Sequence, residues 1–450
     1  MSASPWPRGR VLVAWLLLAA TALAALAAWQ GQGYWEYSDG VYSLSARQLL
    51  DGQALYRDFA GAQPPPLYLL GAGALALSDS PATIRLLMAL CAAATSLLVL
   101  VAVWRLTRRP GVALGAAVAC LVTPWALREH AQLLPETVAA PLLLGAALLA
   151  GRPGPGRALA AGILGAVAVS FKVAFVLPAL AIVLASRQRR RALAGLVVAG
   201  TLLGLSFLLG FGEPLWASVV TGQAQTGRAT LQYVTGLWAQ AGWNATGLLV
   251  LASLAWRSRT ALADADLARS LLAAAAGALL LLVTLFKHGS WLTVMVVAEP
   301  PLLCLAACGV AAVLGERGAP HRRPWRLRML AAAAAVALLV AQVGSLLVAP
   351  ADPALFTRPF ADSRPGRALS DAEVGRIAAA IRRCPPGSTY AGPPYLAFVA
   401  GRAIAGSQPD QFMIENAANL RRFRRAVRDD PAVCTTAPVP SAGLEDRTAP

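Results

Sequence analysis

The chain has 450 residues, of which 57% are hydrophobic and only 14% are charged, and its formal net charge is +17. Soluble domains carry about 25% charged residues, so this composition excludes an ordinary soluble protein and predicts an all-α polytopic membrane protein. In a soluble chain such a positive charge would point to nucleic acid. Here the placement of the charges accounts for it, and no nucleic-acid partner is predicted.

The apolar runs predict about eleven transmembrane helices, because a helix needs about 20 apolar residues to cross a bilayer. The first run, 11–29, is longer than the hydrophobic region of about 7–15 residues in a secretory signal, which favours a membrane span. The run 158–185 is too long for one helix and contains Lys172, whose placement in lipid would cost about 2.5–3.5 kcal/mol. Two short helices that turn back at this lysine are therefore predicted. The other predicted spans are 82–104, 111–127, 133–150, 192–211, 245–256, 270–286, 294–315 and 329–349.

The charges separate into two sets when the loops are assigned to alternate sides. With a cytoplasmic N-terminus, the cytoplasmic segments hold nineteen basic and three acidic residues, whereas the outer loops before residue 350 hold seven basic and nine acidic ones. Basic residues concentrated in short loops on one side are what the positive-inside rule describes. The sequence thus predicts a multi-pass protein of the bacterial inner membrane, with its C-terminal part on the periplasmic side.

Two outer loops, 30–81 and 212–244, are too long to be simple connectors. Both are predicted to form helices that lie along the outer interface of the membrane. In the first loop the helical stretches are 40–50, which Gly52 is placed to end, and 67–77, which is too short to span the bilayer.

The composition changes after the predicted membrane domain, 1–349. Residues 350–434 have the composition of a small soluble α/β domain, and the tail 435–450, rich in Pro, Ala and Thr, is predicted to be disordered. The elements predicted in this domain are a helix opened by a capping box at Ser370, a strand near 388–391 and helices near 394–400 and 414–428.

Cys384 and Cys434 are the only cysteines after residue 350. On an oxidising side of the membrane they could form a disulfide. The alternative, two free thiols, stays open because Cys434 lies next to the predicted disordered tail.

The first outer loop carries a series of short motifs. An aspartate follows the first predicted span, then come A-R-x-L-L-x-G, Y-R-D and P-P-L-Y. This series resembles the first periplasmic loop of GT-C glycosyltransferases, integral membrane enzymes that take a sugar from a polyprenyl-phosphate carrier. The likeness continues in the helix opened by Pro135 and Glu136, in the turn at Lys172 and in F-K-H-G-S-W at 286–291. It implies a GT-C fold for most of the membrane part.

Two positions depart from the motifs of this family. Gly40 stands where many relatives have a second acid, and Gln63-Pro64-Pro65 stands where aminoarabinose transferases carry Glu-Lys-Pro-Pro. The resemblance therefore implies no certain cofactor, and whether a divalent metal binds is left open.

The resemblance assigns the chemistry to the first loop. Asp39 occupies the place of the family's essential acid and is the candidate general base, which would deprotonate an acceptor hydroxyl; Asp58 is the second candidate. Lys172, Lys287 and Arg57 are candidates for binding the donor phosphate. On residue types alone, a solvated loop and lysines that reach to the interface explain the same residues.

Further polar and aromatic residues are candidates for binding the substrate. Glu136 could bind sugar or acceptor hydroxyls, or could simply complement the positive end of its helix. The others are Tyr42, Tyr233, Trp238 and His288. An aromatic belt at the membrane interface is the alternative explanation for the tyrosines and the tryptophan.

Together these features predict an inverting glycosyltransferase that moves a sugar from a polyprenyl-phosphate carrier to a cell-envelope acceptor on the periplasmic side. The implied partners are the lipid-linked sugar donor, a glycan, lipid or protein acceptor, and the bilayer. The alternatives are a transporter or flippase of lipid-linked sugars and a non-catalytic envelope assembly protein. Transporters usually contain internal repeats and broken helices, and the sequence shows neither clearly.

Overall fold

The computed structural model describes residues 37–225, 227–257, 263–287, 290–315, 323–348, 369–410 and 433–434. These residues are mostly helical. The helices of the first half are α1 (Tyr37–Leu50), α2 (Pro65–Leu77), α3 (Pro81–Thr107), α4 (Pro110–Val122), α5 (Pro124–Glu129), α6 (Pro135–Ala150), α7 (Pro155–Val169) and α8 (Val176–Ala185). Those of the second half are α9 (Arg189–Trp216), α10 (Leu231–Arg257), α11 (Ala265–Leu279), α12 (Met295–Gly315), α13 (Arg323–Val348), α14 (Asp371–Arg382) and α15 (Pro394–Ala400).

Proline marks the start of many of these helices. The helices α2 to α7 and α15 all have proline in their first turn. The first N–H groups of a helix have no partner within the helix, and the fixed φ of proline is already helical, so proline is tolerated there and ends the preceding extended segment. These prolines place the sharp turns that return the chain across the bundle.

Five described helices are long and apolar enough to cross a membrane, and five shorter apolar helices accompany them. The long ones are Pro81–Thr107, Arg189–Gln225, Ala265–Phe286, Leu292–Gly315 and Arg326–Ser345. The chain is thus helical and apolar in the manner of a multi-pass membrane protein. The first predicted span, 11–29, lies outside the described residues.

The predicted break at Lys172 is confirmed. The helix α7 ends at Val169, Lys172 is extended (φ −157°, ψ 120°), and a 3-10 turn at Val173–Phe175 leads into α8. The lysine therefore lies at the turn between two short helices, outside both.

The second predicted outer loop is corrected by the structure. Its residues from 231 onward do not lie in a separate interfacial helix but form the first half of α10, which runs without interruption through the predicted short span 245–256. Two polar residues of this stretch, Gln240 and Asn244, are buried in the packed bundle. Upstream, α9 continues beyond a kink at Gly212 (φ 63°) into a π-helical turn at Ala217–Gly222.

Glycines allow several close helix crossings in the described part of the bundle. Gly162 and Gly195 lie where α7 meets α9, Gly277 where α11 meets α8, and Gly309 where α12 meets α10. At each of these positions an added Cβ would overlap with backbone atoms of the facing helix. Lipid tails are as apolar as side chains, so close packing of small residues is a main source of association between membrane helices.

The C-terminal segment, residues 369–410 with 433–434, packs onto α1. The helix α14 begins with the predicted capping box, in which Ser370 and Glu373 exchange hydrogen bonds, and β1 (Thr389–Tyr390) pairs in parallel with β2 (Val433–Cys434). Buried residues of α14 and α15 share one hydrophobic cluster with α1 and α2. The predicted helix 414–428 and the predicted tail 435–450 lie outside the described residues.

Cys384 and Cys434 form a disulfide. Replacing Cys384 by serine is expected to lower the free energy of unfolding of the C-terminal segment by about 2–4 kcal/mol, because the bond restricts the unfolded chain over a separation of 50 residues. Thermal unfolding of the purified protein with and without reductant measures this loss. Cys91→Ser, at a free and partly exposed cysteine, is the control, and a melting temperature insensitive to reductant would contradict the expectation.

Candidate active site

Asp39 lies in the first turn of α1 and is buried, with 8% of its surface exposed. Its Oδ1 accepts a hydrogen bond of 2.9 Å from the backbone N–H of Leu133 and one of 3.4 Å from the Ser43 hydroxyl. Burial raises the pKa of the Asp39 carboxyl, whereas the Leu133 hydrogen bond and the positive charge of Arg85 oppose that rise. The arrangement provides a carboxylate that is held in place and desolvated, which are properties of a general base.

A narrow pocket opens beside this carboxylate, between α1, the start of α3 and α15. It is lined by Asp39, Ser43, Pro81, Ile84, Arg85, Tyr395 and Phe398. Two of the lining residues therefore come from the C-terminal segment, more than 350 positions after Asp39 in the sequence.

The close approach of α15 accounts for Gly40. A Cβ at this position would overlap with the backbone nitrogen of Tyr395, so no larger residue fits while α15 is docked. Gly40, one of the positions at which the sequence departs from the motifs it resembles, is thus a point of contact between the C-terminal segment and α1.

Glu136 and Lys172 form an ion pair near the same end of the bundle. The Lys172 ammonium donates to Glu136 Oε1 at 2.5 Å, and the Thr293 hydroxyl donates to the same oxygen at 3.0 Å. The Glu136 side chain is only 1% exposed, while that of Lys172 is 23% exposed. Lys172 is therefore the more exposed member of the ion pair.

Lys287 is the second lysine at this end of the bundle. It ends a 3-10 helix, and its segment pairs with the loop before α10, where the Ala229 N–H donates to the Phe286 carbonyl at 2.9 Å. Burial lowers the pKa of the Lys287 ammonium to about 8, the neighbouring carboxylate of Asp410 opposes this change, and the charge of Lys172 adds to it. The two lysines are therefore close enough for each to sense the charge of the other.

Tyr42 lies near Asp39 on α1 and near two carboxylates that neighbour Lys172 and Lys287. It follows Asp39 by three residues on α1 and interacts electrostatically with both Glu136 and Asp410. Its ring contacts the Tyr68 ring edge-on, at 5.8 Å between centroids. Asp39, Tyr42, Glu136, Lys172 and Lys287, predicted from separate stretches of sequence, thus lie at one end of the bundle.

Asp58 and Arg57 lie in a different environment. Both are exposed on the turn that follows α1. Asp58 Oδ2 accepts a 2.6 Å hydrogen bond from the Ala54 N–H and so stabilises that turn. Neither residue is brought to the lysine pair by any of these contacts.

Trp238 and Tyr233 pack on the segment that carries Lys287. The Trp238 indole donates to the Leu282 carbonyl at 3.0 Å and its ring contacts Phe286, while Tyr233 lies 6.4 Å from the ring of Trp291. Both residues support the lysine segment, consistent with one wall of a site. His288 lies outside the described residues.

Sequence reasoning missed the contribution of the C-terminal segment. The Gln408 side chain accepts from the Ala60 N–H at 2.9 Å and donates to the Asp58 carbonyl at 3.3 Å. These two hydrogen bonds hold the C-terminal segment against the first outer loop. Gln408 lies two residues before Asp410, which is buried, with 5% of its surface exposed. The only sequence signal among the missed residues was Arg85, the one charged residue in the apolar run 82–104.

The described part of the chain contains no ready set of metal ligands. No group of three or more His, Cys, Asp or Glu side chains there is arranged to hold an ion.

Comparison with known proteins identifies the fold. No protein-family model matches the chain, and no curated protein matches it. Two crystal structures of ArnT from Cupriavidus metallidurans do match. The complex with undecaprenyl phosphate has a TM-score of 0.61 and 15% identity, covering 91% of this chain and 88% of that one. The apo form has a TM-score of 0.60 and 15% identity, covering 93% and 89%. The chain therefore shares its fold with ArnT.

Proposed function

We propose that this protein is an inverting glycosyltransferase that moves a sugar from a polyprenyl-phosphate carrier to an acceptor of the bacterial cell envelope. The observation that supports it most directly is that a buried carboxylate, Asp39, and two lysines, Lys172 and Lys287, lie at the same end of an apolar helical bundle. The ArnT neighbour was crystallised with undecaprenyl phosphate, which supports a lipid phosphate as the ligand of such a fold.

The proposed reaction needs one base and one anion site. The acceptor hydroxyl attacks the anomeric carbon while Asp39 takes its proton, and the bond between that carbon and the phosphate oxygen breaks with its electrons going to the phosphate. Lys172 and Lys287 stabilise the departing phosphate. Because attack and departure occur on opposite faces of the sugar, the anomeric configuration inverts. Glu136 holds Lys172 in place and does not itself act on the substrate in this scheme.

Radiolabelled polyprenyl-phosphate sugars test the proposal. Purified protein in lipid nanodiscs should transfer label from the lipid to an acceptor extracted from envelope fractions, and Asp39→Asn protein is the matched control. A flippase, the other class that the sequence left open, would move the lipid-linked sugar across sealed vesicles without forming a new glycosidic bond. Movement without transfer would contradict the enzyme and support the flippase.

The proposed orientation places the site on the periplasmic side and the N-terminus in the cytoplasm. Reporter fusions after residues 110, 191 and 326 are expected to report a cytoplasmic location, because the basic residues concentrate in those loops. Fusions after residues 60, 230 and 360 are expected to report the periplasm. Two or more inverted reporters would contradict this orientation.

A further inference from the structure

Arg85 lies near the start of α3 with its side chain 13% exposed. Its Nη2 donates to the Tyr395 hydroxyl at 2.9 Å and lies 3.9 Å from a carboxylate oxygen of Asp371. Both of these partners belong to the C-terminal segment. The guanidinium also lines the pocket of Asp39, so it lies between the C-terminal segment and the proposed base.

Asp39 is surrounded by four elements of the structure. The helix α1 offers the Ser43 hydroxyl, the loop before α6 offers the Leu133 N–H, and α15 offers the Tyr395 hydroxyl. The positive charge that acts on Asp39 comes from Arg85 on α3. A carboxyl group this deeply buried would be driven toward its neutral form, which cannot accept a proton, unless a nearby cation stabilises its charge.

We propose that Arg85 and Tyr395 are positioning residues for Asp39: the Tyr395 hydroxyl holds the guanidinium, and the guanidinium keeps the carboxylate ionised. The inference rests on the proposed function of Asp39 as the base. It makes the docked C-terminal segment part of the catalytic machinery, because Tyr395 fixes the cation from α15. The overlap that any side chain at Gly40 would cause with the backbone of Tyr395 shows how closely this contact is fitted.

The pH dependence of transfer tests this role. Removing the cation in Arg85→Gln raises the pKa of Asp39, so the base form is lost at a higher pH than in the unsubstituted protein. The acid limb of kcat/KM is expected to move upward by about 1–3 pH units, with activity recovering as the pH rises. Arg85→Lys retains the charge and should restore most of the original limb. Tyr395→Phe keeps the ring and loses the hydrogen bond, and should shift the limb in the same direction by less.

Arg47→Gln is the matched control. Arg47 also joins α1 to α15, through the Phe398 carbonyl at 2.5 Å and the Phe398 ring at 4.3 Å, but it does not line the pocket of Asp39. An equal shift of the acid limb in Arg47→Gln would overturn the proposal, because loosened docking alone would then explain it. A loss of activity in Arg85→Gln that is the same at every pH would overturn it as well.

Chemical labelling separates this inference from the proposed function. Dicyclohexylcarbodiimide reacts with the protonated carboxyl, so its labelling of Asp39, measured by peptide mass spectrometry across pH, reports the charge state without any sugar transfer. A higher labelling midpoint in Arg85→Gln supports the proposal, and an unchanged midpoint overturns it. Absence of transfer by the unsubstituted protein would contradict the proposed function alone, and the midpoint would still decide the role of Arg85.

Discussion

Replacing Asp39 by asparagine is expected to lower sugar transfer by at least about 100-fold, because a positioned general base typically contributes about 10²–10⁴-fold. Asparagine has nearly the same shape and its side-chain oxygen can still accept the hydrogen bond from the Leu133 N–H. The variant should therefore fold and bind the donor, and the loss should appear in kcat with KM for the donor little changed. Initial rates with a radiolabelled donor, at several donor concentrations, measure both quantities.

Two other aspartates of the same loop serve as comparisons. Asp51→Asn, at an exposed position after the end of α1, should retain nearly full activity. Asp58→Asn removes the charge but keeps an oxygen that can accept from the Ala54 N–H, so it is expected to leave the turn largely in place and the chemistry intact. An active Asp39→Asn beside an inactive Asp58→Asn would show that the base was assigned to the wrong residue. Full activity in all three would contradict a catalytic role for the loop.

Lys287→Gln is expected to raise KM for the lipid-phosphate donor by about tenfold to a hundredfold, because a hydrogen bond to a charged group contributes about 1.5–3 kcal/mol. The effect should depend on pH. In the proposed mechanism Lys287 would bind the phosphate in its charged form, which is present below a pKa of about 8 and is lost as the pH rises through that value. Donor affinity should therefore fall above pH 8 in the unsubstituted protein. In Lys287→Arg, whose charge persists, this decline should be absent.

The rarity of lysine allows this titration to be observed directly. Lys172 and Lys287 are the only lysines of the chain, so in Lys172→Arg protein Lys287 is the sole lysine, and peptide mapping separates it from the terminal amine. Competitive acetylation across pH should show a midpoint near 8. Asp410→Asn should lower this midpoint, because a neighbouring negative charge favours the protonated amine. A midpoint near 10 in the Lys172→Arg protein would contradict the environment described for Lys287.

Local patterns predicted those parts of the fold that depend on local chemistry. The break at Lys172 followed from the cost of a lysine in lipid, and the start of α14 followed from the capping box at Ser370. The first half of α10 was assigned to a loop because it lies between the predicted spans 192–211 and 245–256. In the structure its amide side chains Gln240 and Asn244 are buried among packed helices, and tertiary packing of this kind leaves no mark in a window of sequence.

The candidate site was predicted in part for a related reason. Glu136, Lys172 and Lys287 could each be recognised as costly charges at the ends of apolar helices, but their separations in sequence gave no indication that Glu136 would pair with Lys172. The contributions of Tyr395 and Asp410 depend on the docking of the C-terminal segment onto α1. Contacts between positions more than 350 residues apart become visible only once the chain is folded.

The glycine crossings of the bundle have a consequence for mutational tolerance. At Gly162, Gly195, Gly277 and Gly309, one additional methyl group would overlap with the backbone of a neighbouring helix, and a packed interior relaxes only partly around such an insertion. Chemically mild changes at these positions would thus displace whole helices, among them α7, which leads directly to Lys172. In a random library screened for activity, inactivating substitutions should therefore be as frequent at these uncharged contacts in the bundle as among the polar residues at its end.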